Sequence, residues 1–387
     1  MKKLDEIEII DNKQRTGHPF LVWESIQSIP KMMDACFEPD VQNHISMIKQ
    51  EFERRYISSL VLLGRGSSYY AALAVKDLFK KFTYLPTSCF VTNEYDAYPY
   101  EKCDTNTAVF FLSHSGKSEG DVQVVKNVRA KGAYTIGVTD ILDSALAKSV
   151  DQLFIGPGGA KFEHPATRTY ATAIFRMMQL AISLSEVIGS EKGLANYQSA
   201  LESLPKQTAI LLSEFEMKAP DVVNLLKDRK QNIIIGFGPN FANAEEAAMA
   251  FNQSSDIPTM SYNLENYIHG PIQALIEDAG MIGIAPAGKL QGRMFGLISA
   301  AKVIGAKTIL LVPENCEVPD VDFVIRMPSD IPELLTPVVY MLPLWQIGYH
   351  LGLLGRGAHP DRLSMDKPKF QKALTYIMKE DKWLTKE

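Results

Sequence analysis

The chain has 387 residues and a formal net charge of -5, long enough for two domains of ordinary size. Hydrophobic residues make up 46% and charged residues 22%, a globular composition, and the acidic balance argues against a nucleic-acid partner, whose phosphates favour a basic face. The four cysteines, Cys36, Cys89, Cys103 and Cys316, show no CxxC spacing, which argues against a disulfide framework or a zinc site and predicts reduced thiols in a cytoplasmic protein with no metal or redox cofactor.

The opening residues, MKKLDEIEIIDNK, are too acidic and too short in apolar run for a signal peptide. No run of about eighteen apolar residues follows, so no membrane span is expected. Residues 1–50 read as an arm followed by helices. From Val61 the chain reads VLLGRGSSYYAALAVKDLFKKF. A short apolar run enters glycines and serines and then residues apolar at helical spacing, which predicts strand, tight loop and helix. Gly66, Ser67 and Ser68 form a donor set at that strand end. GRGSSY lacks the third glycine of a dinucleotide fingerprint, and no GK[ST] pair makes it a Walker loop.

The next strand, AVFFLS, ends at Ser113 and leads into FLSHSGKSEGD. Ser113, Ser115 and Ser118 alternate around Gly116 directly before a predicted helix. Hydroxyls, loop N–H groups and the positive end of the helix could all face one anion there. Serines that merely cap the helix explain the same composition equally well. Gly116-Lys117-Ser118 carries a Walker-like tripeptide without the glycine-rich loop in front of it. A further strand, QLFIGP, ends near Pro157. The loop KFEHPATR then places Glu163 and His164 ahead of a long helix, TRTYATAIFRMMQLAISLSEVI, where Thr167 and Thr169 are a third donor set or caps. Residues 51–195 make a first domain and 196–230 a helical connector.

In residues 231–355 the same grammar returns. Gly64 and Gly66 are followed 172 positions later by Gly236 and Gly238, and Gly132 is followed 173 positions later by Gly305. Two features at nearly one offset predict a duplicated domain. Its strands are expected at MIGIAP, TILLV and FVIRM. Its last helix holds Pro337 and Pro343, which predict a kink or break. Residues 356–387 form a tail. Nearly apolar strands alternating with helices predict mostly parallel sheets covered on both faces.

These motifs together resemble the sugar isomerase (SIS) domain family, in the two-domain form found in the isomerase half of glucosamine–fructose-6-phosphate synthase and in related deaminases and deglycases. GRGSSYY resembles its G-x-G-[ST]-S loop and LSHSGKSEGD its [ST]-x-S-G-x-[ST] loop. The resemblance implies two tandem SIS-type, flavodoxin-like α/β domains and a homodimer, or a tetramer. It implies that Gly66, Ser67, Ser68, Ser113, His114, Ser115, Ser118 and Thr167 hold a sugar phosphate. PATRTY and NEYDAY resemble two further segments, the second of which places Glu94 beside the pocket. YNLENYIHGP implies that His269 opens the sugar ring across the dimer interface, and Glu246 keeps the family's helix glutamate.

Two positions depart from the family. Gln253 stands where the synthase has its catalytic glutamate, and Ala250 where it has a lysine. A neutral amide cannot act as a general base. Glu163, His164 and Glu265 are replacement candidates for that task, with a tail closing over the ring through Lys372 or its neighbours Lys367 and Lys369. The expected function is binding of a hexose 6-phosphate or amino-sugar phosphate, with ring opening followed by aldose–ketose isomerisation or deamination. A fructosamine-6-phosphate-type deglycase and a non-catalytic sensor are the alternatives. No nucleic acid or membrane partner is expected.

Overall fold

The computed structural model describes residues 15–98, 103–159, 164–189, 194–354, 360–361 and 367–377. Three helices come first: α1 (Leu21–Gln27), α2 (Ile29–Ala35) and α3 (Pro39–Arg54). In α3 the buried residues Val41, Ile45, Ile48 and Phe52 recur every three or four positions, which gives one apolar stripe. The N-cap of α1 is Phe20, which has no side-chain acceptor. Asp361, from the far end of the chain, supplies it by accepting from Leu21 N at 3.1 Å and Val22 N at 2.9 Å. Part of the C-terminal tail is thereby tied to the N-terminal helices.

The first lobe follows as β1 (Ser59–Gly64), α4 (Ser67–Thr83), β2 (Thr87–Val91), α5 (Thr92–Ala97), β3 (Thr107–Leu112), α6 (Glu119–Ala130), β4 (Tyr134–Thr139) and β5 (Gln152–Ile155). Its strands are all parallel, in the order β2-β1-β3-β4-β5. Three helices lead on: α7 (Arg168–Ile188), α8 (Leu194–Glu216) and α9 (Ala219–Leu226). The second lobe comprises β6 (Gln231–Gly236), α10 (Phe241–Ser254), β7 (Thr259–Asn263), α11 (Leu264–Ile268), β8 (Ala279–Ile284), α12 (Gln291–Ile304), β9 (Lys307–Pro313) and β10 (Phe323–Met327). Its parallel order, β10-β9-β8-β6-β7, repeats that of the first lobe. Helices α13 (Pro337–Leu354) and α14 (Pro368–Ile377) end the described chain.

The duplication extends to side chains. In the first lobe Asp151 accepts from Thr135 N at 3.0 Å and from its hydroxyl at 2.8 Å, while Asp151 N donates back to that hydroxyl. In the second, Asp322 accepts from Thr308 N at 2.9 Å and from its hydroxyl at 3.0 Å, with the same return bond. Each bracket ties the start of one strand to the approach of the next.

A single apolar core runs through both lobes, from Phe79, Phe110 and Phe175 to Phe251 and Trp345. α10 brings Ala244, Ala247, Ala248 and Ala250 to this core, and such small side chains allow close helix approach across the lobes. α7 is long and apolar enough to cross a membrane, yet it lies buried at the centre of the fold.

The expected break does occur ahead of Pro337, where a 3-10 turn over Glu333–Leu335 gives way to α13, but α13 runs unbroken through Pro343. Pro337 stands at its first residue, where the missing N–H costs nothing. Pro343 forfeits one internal hydrogen bond, but residues from Pro337 to Tyr349 are all buried, and packing holds the helix together.

Candidate functional site

In a sheet of this order the loops after β1 and β3 turn to opposite faces, which opens a crevice at the carboxyl ends of those strands. A cavity of 180 Å³ lies there, lined by Arg65, Ser67, Ser68, Ser113, His114, Asp140, Thr169, Tyr170 and Arg176 with smaller apolar residues. All three donor sets marked in the sequence contribute to it: Ser67 and Ser68 open α4, Ser113 and His114 follow β3, and Thr169 sits in the first turn of α7.

The Ser113–Ser118 loop divides between two tasks. Ser113 and His114 face the cavity. Ser118 instead caps α6, accepting from Asp121 N at 3.1 Å. It is also bonded by the Arg65 guanidinium, whose Nε lies 3.2 Å from Asp121 Oδ1. Ser115 is exposed and accepts from Lys117 N at 3.4 Å. Gly116 has φ 56°, and a Cβ there would come within 2.4 Å of Ser144 Oγ, so the turn requires glycine.

His114 is held from behind. Its backbone carbonyl accepts from Thr139 Oγ1 at 2.8 Å, and its Nδ1 donates to Asp140 Oδ2 at 3.0 Å. Asp140 Oδ1 pairs with Arg176 Nη1 at 3.0 Å, and both side chains are at most 2% exposed. Gly156 and Gly158 roof this pair. A Cβ on Gly156 would fall within 1.9 Å of Arg176 Nη1, and one on Gly158 within 2.5 Å of Asp140 Oδ2. Burial pushes the Asp140 carboxyl up, but the Arg176 guanidinium and the His114 hydrogen bond outweigh it and hold it below the ordinary carboxylate range.

Ser67 Oγ donates to Glu246 Oε1 of the second lobe at 3.1 Å, so one loop of the cavity is fixed by α10. The equivalent crevice of the second lobe, between the loops after β6 and β8, is arranged differently. There the Glu333 carboxylate lies against Gly288 and Gly238, and its burial raises its pKa.

The remaining sequence candidates lie elsewhere. Gly66, with φ 53°, is the exposed N-cap of α4. Thr167 is wholly buried at the N-cap of α7 and makes no side-chain capping bond. His164 is half-buried in the preceding loop, and Glu163 lies outside the described residues. Glu94 is exposed on α5. Gln253 lines a second cavity of 490 Å³ with Tyr70, Glu245, Met249, Asn252, Ser261 and Tyr262, and its amide oxygen is buried without a hydrogen-bond partner. Glu265 and His269 are on the surface, with carboxylate and ring 3.3 Å apart. Arg293 donates to Glu265 from Nε at 2.8 Å and holds its carboxyl below the usual range. Neither residue lines the first-lobe cavity of its own chain. Lys367, Lys369 and Lys372 are exposed on or beside α14.

Arg65, Asp140, Tyr170 and Arg176 were missed as cavity residues. A signal existed for Arg176, a cation inside an otherwise apolar helix stripe. All four cysteines are free thiols, and burial pushes the Cys36 thiol up to about 12. Among the described residues no group of three or more His, Cys, Asp or Glu is arranged to hold a metal ion.

Residues 57–183 match the SIS domain family. The chain is 26% identical over 378 residues to a glutamine–fructose-6-phosphate aminotransferase [isomerizing] of Thermococcus kodakarensis, a match covering 94% of this chain and 61% of that protein. The chain thus spans about three fifths of the length of that relative. The C-terminal domain of glucosamine-fructose-6-phosphate aminotransferase from Francisella tularensis superposes with a TM-score of 0.79 at 17% identity, covering 89% of this chain and 99% of that one. Glucosamine-6-phosphate deaminase from Thermotoga maritima superposes with a TM-score of 0.69 at 18% identity, covering 88% and 96%. The family match is carried by the first lobe, and the likeness in fold extends over both lobes.

Proposed function

We propose that this SIS-domain chain binds a hexose 6-phosphate or amino-sugar phosphate in the first-lobe cavity and opens its ring, leading to aldose–ketose isomerisation or deamination. The observation that carries the reading is the convergence of Ser67, Ser68, Ser113, His114 and Thr169, with Arg65, on one crevice at the strand ends. Hydroxyls and a cation around a small cavity suit a phosphate, and the activities named for the relatives point to the same substrate class. The phosphate is assigned to the loops after β1 and β3. The carbon chain then runs toward α7 and the second lobe. His269, three-quarters exposed, is available to a neighbouring subunit in a homodimer, where it would act at the ring oxygen. Four free thiols suit a reducing cytoplasm.

A deglycase reading has its own support in the second cavity. Tyr70, Glu245 and Gln253 there offer space and polar groups for an amine-linked extension of the sugar. Gln253 also keeps the sensor reading alive, because an amide supplies no base.

The test is incubation with hexose 6-phosphates, amino-sugar phosphates and fructosamine 6-phosphates in heavy water, followed by NMR. Deuterium at C2 that disappears in His269→Ala supports ring opening and enolisation. Release of free amine from the fructosamine compounds alone favours the deglycase. Tight binding without exchange or turnover on any member leaves the sensor.

A further inference from the structure

Two walls of the proposed phosphate cavity come from α4 and α7, and one helix of the second lobe is bonded to both. Ser67 of α4 donates to Glu246 Oε1 at 3.1 Å, and the Tyr170 hydroxyl of α7 donates to Asn243 Oδ1 at 3.2 Å. Ser67 and Tyr170 both line the cavity. Asn243 and Glu246 are three residues apart on α10, the spacing of neighbours on one helix face. Glu246 is marked by the family resemblance; nothing in the sequence marks Asn243.

The Asn243 amide sits in a chain of hydrogen bonds whose direction is fixed. Its Nδ2 donates to the backbone carbonyl of Pro337 at 2.8 Å and to Asn240 Oδ1 at 3.0 Å. A carbonyl only accepts, so the nitrogen must face Pro337 and the oxygen must face Tyr170. Asn240 Nδ2 in turn donates to Thr336 Oγ1 at 2.7 Å, and the Thr336 hydroxyl donates to the Glu333 carbonyl at 2.6 Å. Tyr170, Asn243, Asn240 and Thr336 are all at most 2% exposed, so a bond left unmade here carries the full cost of desolvation. The phenol proton of Tyr170 is thereby committed to α10. Tyr170 has no hydrogen left to donate to a phosphate oxygen, and what it gives the cavity is the place its ring holds.

Resting on the sugar-phosphate reading, we infer that Asn243 is a positioning residue for this cavity: it holds the Tyr170 wall in register with the Ser67 wall, through a network anchored in the second lobe and α13. The phosphate, assigned to the loops after β1 and β3, does not need the Tyr170 wall. The carbon chain that runs toward α7 does. Asn243 acts through Tyr170, so cutting the link at either end has the same effect on a sugar phosphate, and cutting it at both ends adds nothing.

The experiment is a double-mutant cycle on binding, read by isothermal titration calorimetry with fructose 6-phosphate and glucosamine 6-phosphate as probes. Wild type, Tyr170→Phe, Asn243→Ala and the double variant are compared at a temperature where circular dichroism shows each of them folded. Each single variant is expected to bind about tenfold more weakly, the factor for roughly one buried network hydrogen bond. The double variant should bind no more weakly than Asn243→Ala. A purely structural role would lower melting temperatures and leave the affinity of the folded protein unchanged. Unchanged affinity in either single variant, or losses that multiply in the double variant, overturns the inference and leaves the binding-site reading standing. Should Asn243→Ala not fold, Tyr170→Phe decides alone, since it keeps the ring and removes only the link: a tenfold loss supports the inference and an unchanged affinity overturns it. Failure of wild type to bind either probe overturns the sugar-phosphate reading, and this inference with it.

Discussion

Ser67 Oγ, at the start of α4 in the first lobe, donates to Glu246 Oε1 in the second lobe at 3.1 Å. The partners are 179 residues apart, and Glu246 is fully buried. The cavity wall is therefore set partly by a domain that does not line it. Glu246→Ala removes the acceptor and should cost about 1–3 kcal/mol of stability, read from urea denaturation, with weaker fructose 6-phosphate binding. Glu246→Gln keeps an acceptor oxygen and should fall much closer to wild type. Equal effects of the two variants would show that the bond does not position the loop.

Asp140 and Arg176 form a buried pair at 3.0 Å. Removing one member leaves the other charge in the core, so Asp140→Ala should lose about 3–5 kcal/mol. The Asp140 carboxyl is held below its ordinary value in the folded chain. Its contribution is thus present above the unfolded pKa and lost as pH falls through the lower folded one. Thermal midpoints of wild type and Asp140→Asn should converge as the medium is acidified. Midpoints that stay parallel down to pH 2 would contradict the pairing.

Gly116 has φ 56°, and a Cβ there would meet Ser144 Oγ at 2.4 Å. Gly116→Ala combines a left-handed backbone penalty of roughly 1 kcal/mol with a contact that must shift the loop. Phosphate-ester affinity should fall at least tenfold, measured by calorimetry, while circular dichroism shows the fold retained. Unchanged affinity would remove this turn from the binding site.

Asp322 sits in the second lobe's threonine bracket with Lys302 at 2.8 Å and a side chain 13% exposed. Burial works against ionisation, yet Lys302 and the Thr308 bonds hold its carboxyl down at about 2. The stabilisation is complete above the unfolded value near 3.9 and disappears as pH falls toward 2. It amounts to at most about 2–3 kcal/mol, less what solvent screening removes. Asp322→Asn should flatten the acid limb of a melting-temperature profile. A limb of unchanged slope would assign the acid sensitivity to other carboxylates.

The Gln253 amide oxygen is buried without a partner. Gln253→Glu places a carboxyl there, and desolvation should raise its pKa. The sign is opposite to that of Asp322: the penalty is absent below the unfolded pKa and grows as pH rises above it. The variant should match wild type near pH 4 and melt lower at pH 8. A variant equally stable at both values would mean that the pocket hydrates the carboxylate.

Much of the architecture is legible in the sequence. Glycines at a nearly constant offset, each after an apolar run, announced two copies of one strand–loop–helix unit, and the sheets do share one strand order. The serines after β1 and β3 were marked because loops at parallel strand ends meet at one edge. The local signal could not separate Ser113, which faces the cavity, from Ser118, which caps a helix. Both follow a strand and precede a helix, and hydroxyls serve either task. Pro337 marked a true helix start, whereas the helix continues through Pro343; a propensity rule knows nothing of how deeply a helix is buried. His269 was assigned to the ring through the family resemblance, across a dimer interface, and Glu265 for lying four residues before it; within one chain they pair with each other and with Arg293 at the surface.

Periodicity and glycine placement are local properties, so the sequence by itself determined the order of elements, the duplication and the loops that carry hydroxyls. The relation of His114 to Asp140 and Arg176 was decided by tertiary structure alone. It depends on β4 lying beside β3 and on α7 crossing beneath them, which brings three residues distant in the chain within hydrogen-bond reach. Burial then gives those contacts their strength, and burial is a property of the whole fold.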